Sequence, residues 1–159
     1  MENLHQFVNG VANLWNVHQK REALYKNSMT LDNLGSLRQI CSHGYISSLL
    51  FKKEIQWIFD DVKCALSDGD IRNFSKKEGS NIYVLPADNK PLIARMLQDQ
   101  EYHTIRLYKN LLNLKSLTAD ASSIFSDHLE KLCDISLRLN KELTKSSPRY
   151  FARRKATVD

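Results

Sequence analysis

Helix-breaking residues are scarce in this chain, with 5 glycines and 3 prolines in 159 positions, and the alternating β-branched pattern of strands is nearly missing. Those two shortages leave an all-helical fold with little competition. The one strand-like stretch, Ile82-Tyr83-Val84-Leu85, is short and runs into Pro86. Long apolar runs are absent too: nothing approaches the ~20 residues that span a bilayer, so no membrane partner is expected. The start, Met1-Glu2-Asn3-Leu4-His5, lacks a basic segment followed by an apolar one, and a cytoplasmic location is the expectation. Cysteine is limited to Cys41, Cys64 and Cys133, which form no Cys-x-x-Cys pair, and the odd count argues against a disulfide framework. No glycine-rich phosphate loop and no nucleophile elbow occurs. Cys41 falls on an apolar stripe, and His43 faces ~160° away from it on a helix, so no local Cys-His pair forms. No enzyme class is legible.

The charge balance is also uninformative once it is located. The formal net charge is +5, but Arg149, Arg153, Arg154 and Lys155 crowd into the final segment, leaving the body of the chain close to neutral. The pI near 9.1 therefore does not by itself imply nucleic-acid binding, and no nucleic-acid partner is expected. With 26% charged and 42% hydrophobic residues, the composition is that of an ordinary globular domain.

What is present is helical periodicity. From Pro91 to Leu143 the chain reads as two long amphipathic helices joined by a short turn, which predicts antiparallel neighbours. Ile93, Met96, Leu97, Leu107, Tyr108, Leu111 and Leu114 gather on one face of the first, and Ala121, Phe125, Leu129, Leu132, Ile135, Leu139 and Leu143 on one face of the second. Thr118 or Asp120 is placed to cap the second of these helices. Earlier in the chain, Leu4, Phe7, Val8, Val11, Leu14, Trp15, His18, Glu22 and Tyr25 form a stripe over 2–26. A second stripe over 31–67 comprises Leu37, Ile40, Cys41, Gly44, Ser48, Phe51, Ile55, Ile58, Phe59, Val62 and Leu66, with Thr30 or Asp32 as its candidate cap. Gly44, inside that stripe, predicts close approach of a neighbouring helix or a bend. The expected helices are thus 2–26, 31–67, 90–115 and 119–144 within one domain, 1–145, followed by a basic tail, 146–159.

Residues 68–89 lose the periodicity. A connector of roughly 20 residues is long for a bundle, where about two to eight is usual, but it suffices to run the length of a helix. Two antiparallel hairpins joined by such a crossover form the connectivity of ferritin-like four-helix bundles.

The stretch Leu92 to Leu112, with Asp99 and Glu101 in its acidic patch and Tyr108 to Leu112 as its ending, resembles the third helix of a ferritin-like bacterial domain of unknown function, a stress-associated class of small four-helix bundles. Leu129 to Leu143 is similar to the fourth helix of that family, and Phe51-Lys52-Lys53-Glu54 to the end of the second. The connector departs from the glycine-rich, basic, tryptophan-containing one associated with the family.

A ferritin-like fold raises the question of a di-iron centre, but the chain does not carry the two Glu-x-x-His motifs which that centre uses. On the third helix the inward positions are read as Gln100 and Thr104, with Glu101 and His103 on opposite shoulders. His18 and Glu22, four apart on the first helix, and His128 on the fourth are read as inward polar residues, expected to satisfy one another in a buried cluster with Gln100. The alternative is a mononuclear iron or zinc site of His18, Glu22, Glu101 and His128, since imidazole and carboxylate suit either metal. Otherwise no cofactor is expected. Trp57 lies off its stripe and, with Tyr150, Arg153 and Arg154 of the tail, is a candidate for contact with a second copy or another protein. The expected function is that of a non-catalytic bundle acting through self-association or partner binding.

Overall fold

Four helices make up the regular structure among the described residues of a computed structural model of the chain: α1 (Glu2–Met29), α2 (Leu37–Lys63), α3 (Lys90–Leu112) and α4 (Ala119–Lys145). The structure describes residues 2–64, 66, 89–115 and 117–145, without the side chains of residues 2 and 3, and contains no strand among them. Residues 68–88 of the expected connector and the whole tail, with Tyr150, Arg153 and Arg154, lie outside the described residues. No helix among the described residues is long and apolar enough to cross a membrane.

The helix boundaries follow from local chemistry. α1 runs past Lys26 to Met29, and α2 begins at Leu37 rather than near Leu31. Asn33 and Gly35 take φ of 61° and 58°, left-handed values that interrupt a helix. Neither Thr30 nor Asp32 caps α2. The Thr30 hydroxyl donates to the Asn27 carbonyl at 2.7 Å, and the cap position falls to Ser36. Ser36 makes no capping bond; its hydroxyl donates to Glu142 Oε1 at 2.7 Å. α3 is capped by Asn89, whose side chain accepts from the Leu92 N–H at 3.2 Å, with Pro91 in the first turn. Of the two candidate caps, Thr118 rather than Asp120 caps α4, accepting from the Ala121 N–H at 3.2 Å.

Packing joins α1 to α2 and α3 to α4, while α1 also touches α3 and α2 touches α4, so the four helices ring a shared interior. That interior has three levels. At one end, the start of α1, the end of α2, the end of α3 and the start of α4 contribute an apolar cluster that includes Phe7, Val11, Ile58, Leu111 and Phe125. At the other end, Leu24, Leu37, Cys41, Ile93, Leu97 and Leu139 belong to a second cluster drawn again from all four helices. Between them lies a layer of buried polar side chains.

Two glycines permit the close packing. A methyl group on Gly44 would overlap the Tyr25 ring, and one on Gly10 would come within 2.7 Å of Leu111 Cδ1. The expected close approach at Gly44 is the one found, between α1 and α2.

Candidate functional site

Arg21 is the centre of the polar layer. It stands three residues after His18 and four before Tyr25, which puts all three on one face of α1. Its side chain is fully buried, as is that of Glu101 on α3, and Arg21 Nε donates to Glu101 Oε1 at 2.8 Å. The Tyr25 hydroxyl donates to the same oxygen at 2.6 Å, while Glu101 Oε2 is buried with no hydrogen-bond partner. Arg21 also donates to Ser47 Oγ at 3.3 Å and lies over the ring of Tyr25, 5.4 Å from its centroid. Burial alone would push the Arg21 guanidinium down; the adjacent Glu101 carboxylate more than offsets this and holds it above its usual range. Burial, followed by the Glu101 charge, raises Tyr25 well above an ordinary phenol.

A second arm leads from Arg21 toward the surface, and its proton positions follow from the donor inventory. Arg21 Nη1 lies 3.0 Å from His18 Nδ1, and a guanidinium can only donate, so Nδ1 accepts. Neutral His18 then carries its proton on Nε2, which donates to the Tyr108 hydroxyl at 2.7 Å. That hydroxyl has one proton and gives it to His128 Nδ1, also at 2.7 Å. His128 is left with its proton on Nε2, 3.4 Å from Glu54 Oε1, close enough for an electrostatic contact but without the alignment of a hydrogen bond. The chain is therefore directional, from a buried cation to a carboxylate one-third exposed. It has no place for an extra proton. Burial, reinforced by Arg21, His128 and Lys52, holds His18 well below 6.5, and burial with Lys131 and Arg21 pushes His128 down to about 3.

The residues singled out from the sequence separate into groups. His18 and His128 meet through Tyr108, their rings 6.4 Å apart, and Glu101 joins His18 through Arg21. Glu22 does not join them. Its side chain is 23% exposed and pairs with Lys52, which also donates to Gln19. Glu101 and Gln98 face inward, Thr104 is buried as expected, and Gln100 is only partly so, accepting and donating locally with Thr104. Gln98 makes its own cluster with Tyr102, Ser136 and Asn140. His103 is exposed.

This donor set does not fit iron or zinc. Both ring nitrogens of His18 are engaged, a guanidinium fills the space between His18 and Glu101, and a cation there opposes a metal's charge. No group of three or more His, Cys, Asp or Glu side chains is placed to hold a metal ion among the described residues. A single Glu-x-x-His, Glu2 to His5, opens α1, and His5 is about 20 Å of helix away from His18. Cys41 is buried in apolar surroundings that push its thiol up to about 12, which makes it a poor nucleophile.

The outer face of α2 carries the other unusual feature. Ile46, Leu50 and Trp57 are 49%, 54% and 59% exposed, and Leu49 stands beside them. At ~100° per residue these positions cluster opposite the buried stripe of Phe51, Ile55 and Ile58. α2 is thus apolar on two sides. Trp57 was expected off the core stripe and is so; Ile46, Leu49 and Leu50 were not singled out, although the steps 46, 49, 50, 53, 57 are the same signal that marks a core face. No protein-family model, no curated protein and no solved structure matches the chain.

Proposed function

We propose that this protein is a four-helix bundle that acts by self-association, without catalysis of its own, and that the outer face of α2 is the surface that pairs. The observation carrying this reading is the row Ile46, Leu50 and Trp57, each about half exposed, on the side of α2 remote from the core. Monomeric proteins rarely present a contiguous apolar row of this kind to water.

A second copy is the occupant favoured by the charges at the two ends of the row. His43 at one end is bonded at 2.9 Å by Arg138, which also pairs with Asp134 at 3.2 Å, while Asp60 and Asp61 stand at the other. Two α2 helices paired antiparallel about a two-fold axis set His43 and Arg138 of each copy against Asp60 of the other. The same register brings Ile46 to the partner's Trp57 and lays the aliphatic stem of Lys53 over the partner's Leu50. An isologous contact of this type closes on itself as a dimer.

Within each copy we read the connectivity as two antiparallel hairpins joined by a long crossover, the ferritin-like arrangement. In support, Lys90 at the start of α3 lies 3.5 Å from Glu142, beside Ser36, whereas Ile58 and Val62 near the end of α2 share a cavity wall with Phe7 and Ala121.

Sedimentation velocity tests the self-association. The wild-type chain is expected at twice 18.4 kDa, and Leu50→Glu and Trp57→Glu at 18.4 kDa with unchanged helicity by circular dichroism. A wild-type protein that sediments as a monomer at every concentration, or variants that still dimerise as tightly, would overturn the reading.

A further inference from the structure

The apolar row on α2 runs at its Trp57 end into an open cavity of about 680 Å³, walled by Phe7, Trp57, Ile58 and Ile124 and by the carboxylates of Asp61 and Asp120. No lysine, arginine or histidine lines it among the described residues. Neither carboxylate is ion-paired among the described residues. The site therefore suits a group that is cationic at one point and apolar or aromatic at another. The segment Arg149-Tyr150-Phe151-Ala152-Arg153-Arg154 has that composition.

We propose that the cavity receives this segment from a second copy of the chain, with Tyr150 and Phe151 against Trp57 and Ile124 and the arginines on Asp61 and Asp120. The proposal rests on the self-association reading above and adds an exchange of tails to it.

Reach disfavours the same chain as donor. Ile124 and Lys145 lie on one helix, about 32 Å apart at a rise of ~1.5 Å per residue. Phe151 is six residues beyond Lys145 and extends at most about 22 Å from it at ~3.6 Å per residue, however the segment is folded. Even fully extended along its own helix, the Cα of Phe151 comes no nearer than about 10 Å to that of Ile124, a gap that only outstretched side chains bridge. An antiparallel partner needs no such stretching. In each copy the end of α4 lies beside the start of α2, where Glu142 accepts from Ser36 at 2.7 Å and Arg138 meets His43 at 2.9 Å. Reversing the second α2 brings that end of the partner alongside Asp60, Asp61 and the cavity. A parallel pairing would carry it to the wrong end, so tail exchange and antiparallel pairing support each other.

The test is charge complementation in the full-length chain. One variant carries Asp61→Lys and Asp120→Lys; the other carries Arg149→Glu, Arg153→Glu and Arg154→Glu. Each alone confronts like charges in both copies and is expected to dissociate at least tenfold more readily than wild type, with helicity unchanged. Mixed one to one, they present one acidic tail to a basic cavity and one basic tail to an acidic cavity, and the heterodimer is expected to recover wild-type affinity. Recovery on mixing can arise only between chains. Two variants that each dimerise like wild type, or a mixture no tighter than its components, would overturn tail exchange. A dimer that is lost in Leu50→Glu yet indifferent to the charge reversals would leave the α2 contact standing and remove the tail; loss with the reversals but not with Leu50→Glu would do the opposite. Should the charge variants lose helicity, a labelled peptide of residues 146–159 titrated onto full-length Leu50→Glu decides: saturable, salt-sensitive binding supports the exchange, and no binding refutes it.

Discussion

Arg21 Nε and Glu101 Oε1 face each other at 2.8 Å with neither side chain exposed to water, an ion pair set between two apolar clusters. Breaking it from one side strands a buried charge, which typically costs about 3–5 kcal/mol, whereas replacing both partners by apolar residues of similar size is often close to neutral. Arg21→Met and Glu101→Leu are each expected to lower unfolding free energy by that amount in urea titrations, and the double variant to lose clearly less than the sum. Single variants within ~1 kcal/mol of wild type would show that the pair is not isolated from solvent.

Gly44 lies against Tyr25, and Tyr25 is anchored by its bond to Glu101, so the ring cannot step aside cheaply. Helix propensity by itself would make Gly44→Ala stabilising by about 1 kcal/mol. Overpacking at this contact is expected to reverse the sign and cost about 1–3 kcal/mol, measured as a lowered urea midpoint. A stabilised variant would mean that α1 and α2 separate easily at this level.

Both histidines of the directional chain are held below 6.5, so below that value the unfolded chain binds more protons than the folded one. Stability is accordingly complete above about pH 6.5 and falls as pH drops, by about 1.4 kcal/mol per pH unit for each histidine. Urea midpoints from about pH 7.5 to about pH 5 should decline, and His128→Gln should reduce the slope by about half. A flat profile over that range would contradict the proton assignment.

Tyr108 is the link that lets two histidines share one chain, donating to His128 and accepting from His18. Tyr108→Phe leaves both ring nitrogens without that partner and is expected to cost about 1–3 kcal/mol. Denaturation that matches wild type would indicate that water replaces the hydroxyl.

The helices themselves were legible because the buried residues recur at three- and four-residue steps: Leu37, Ile40, Cys41, Phe51, Ile55 and Ile58 on α2 are all interior. The start of α2 was not, since the left-handed Asn33 and Gly35 leave no mark on apolar spacing. Arg21 escaped because a lone arginine on an amphipathic helix is usually solvated, yet its place between His18 and Tyr25 on the stripe was a usable signal. Glu22 was placed inward by the same stripe, but it lies at the edge, where Lys52 reaches it. Assigning Gln100 to the inward face of α3 displaced Glu101, one residue on, from the interior position it holds. The outer row of α2 was hidden by its own core stripe, which had already explained why the segment is helical.

The most direct measurement of the central claim is the exposure of Trp57, read by acrylamide quenching of its fluorescence in a Trp15→Phe background across a dilution series. If the outer face of α2 pairs with itself, quenching is weak at high concentration and rises on dilution, with a midpoint that coincides with dimer dissociation in sedimentation and that vanishes in Leu50→Glu. Strong quenching that is independent of concentration, in a protein that nevertheless dimerises, would place the contact elsewhere and contradict the account.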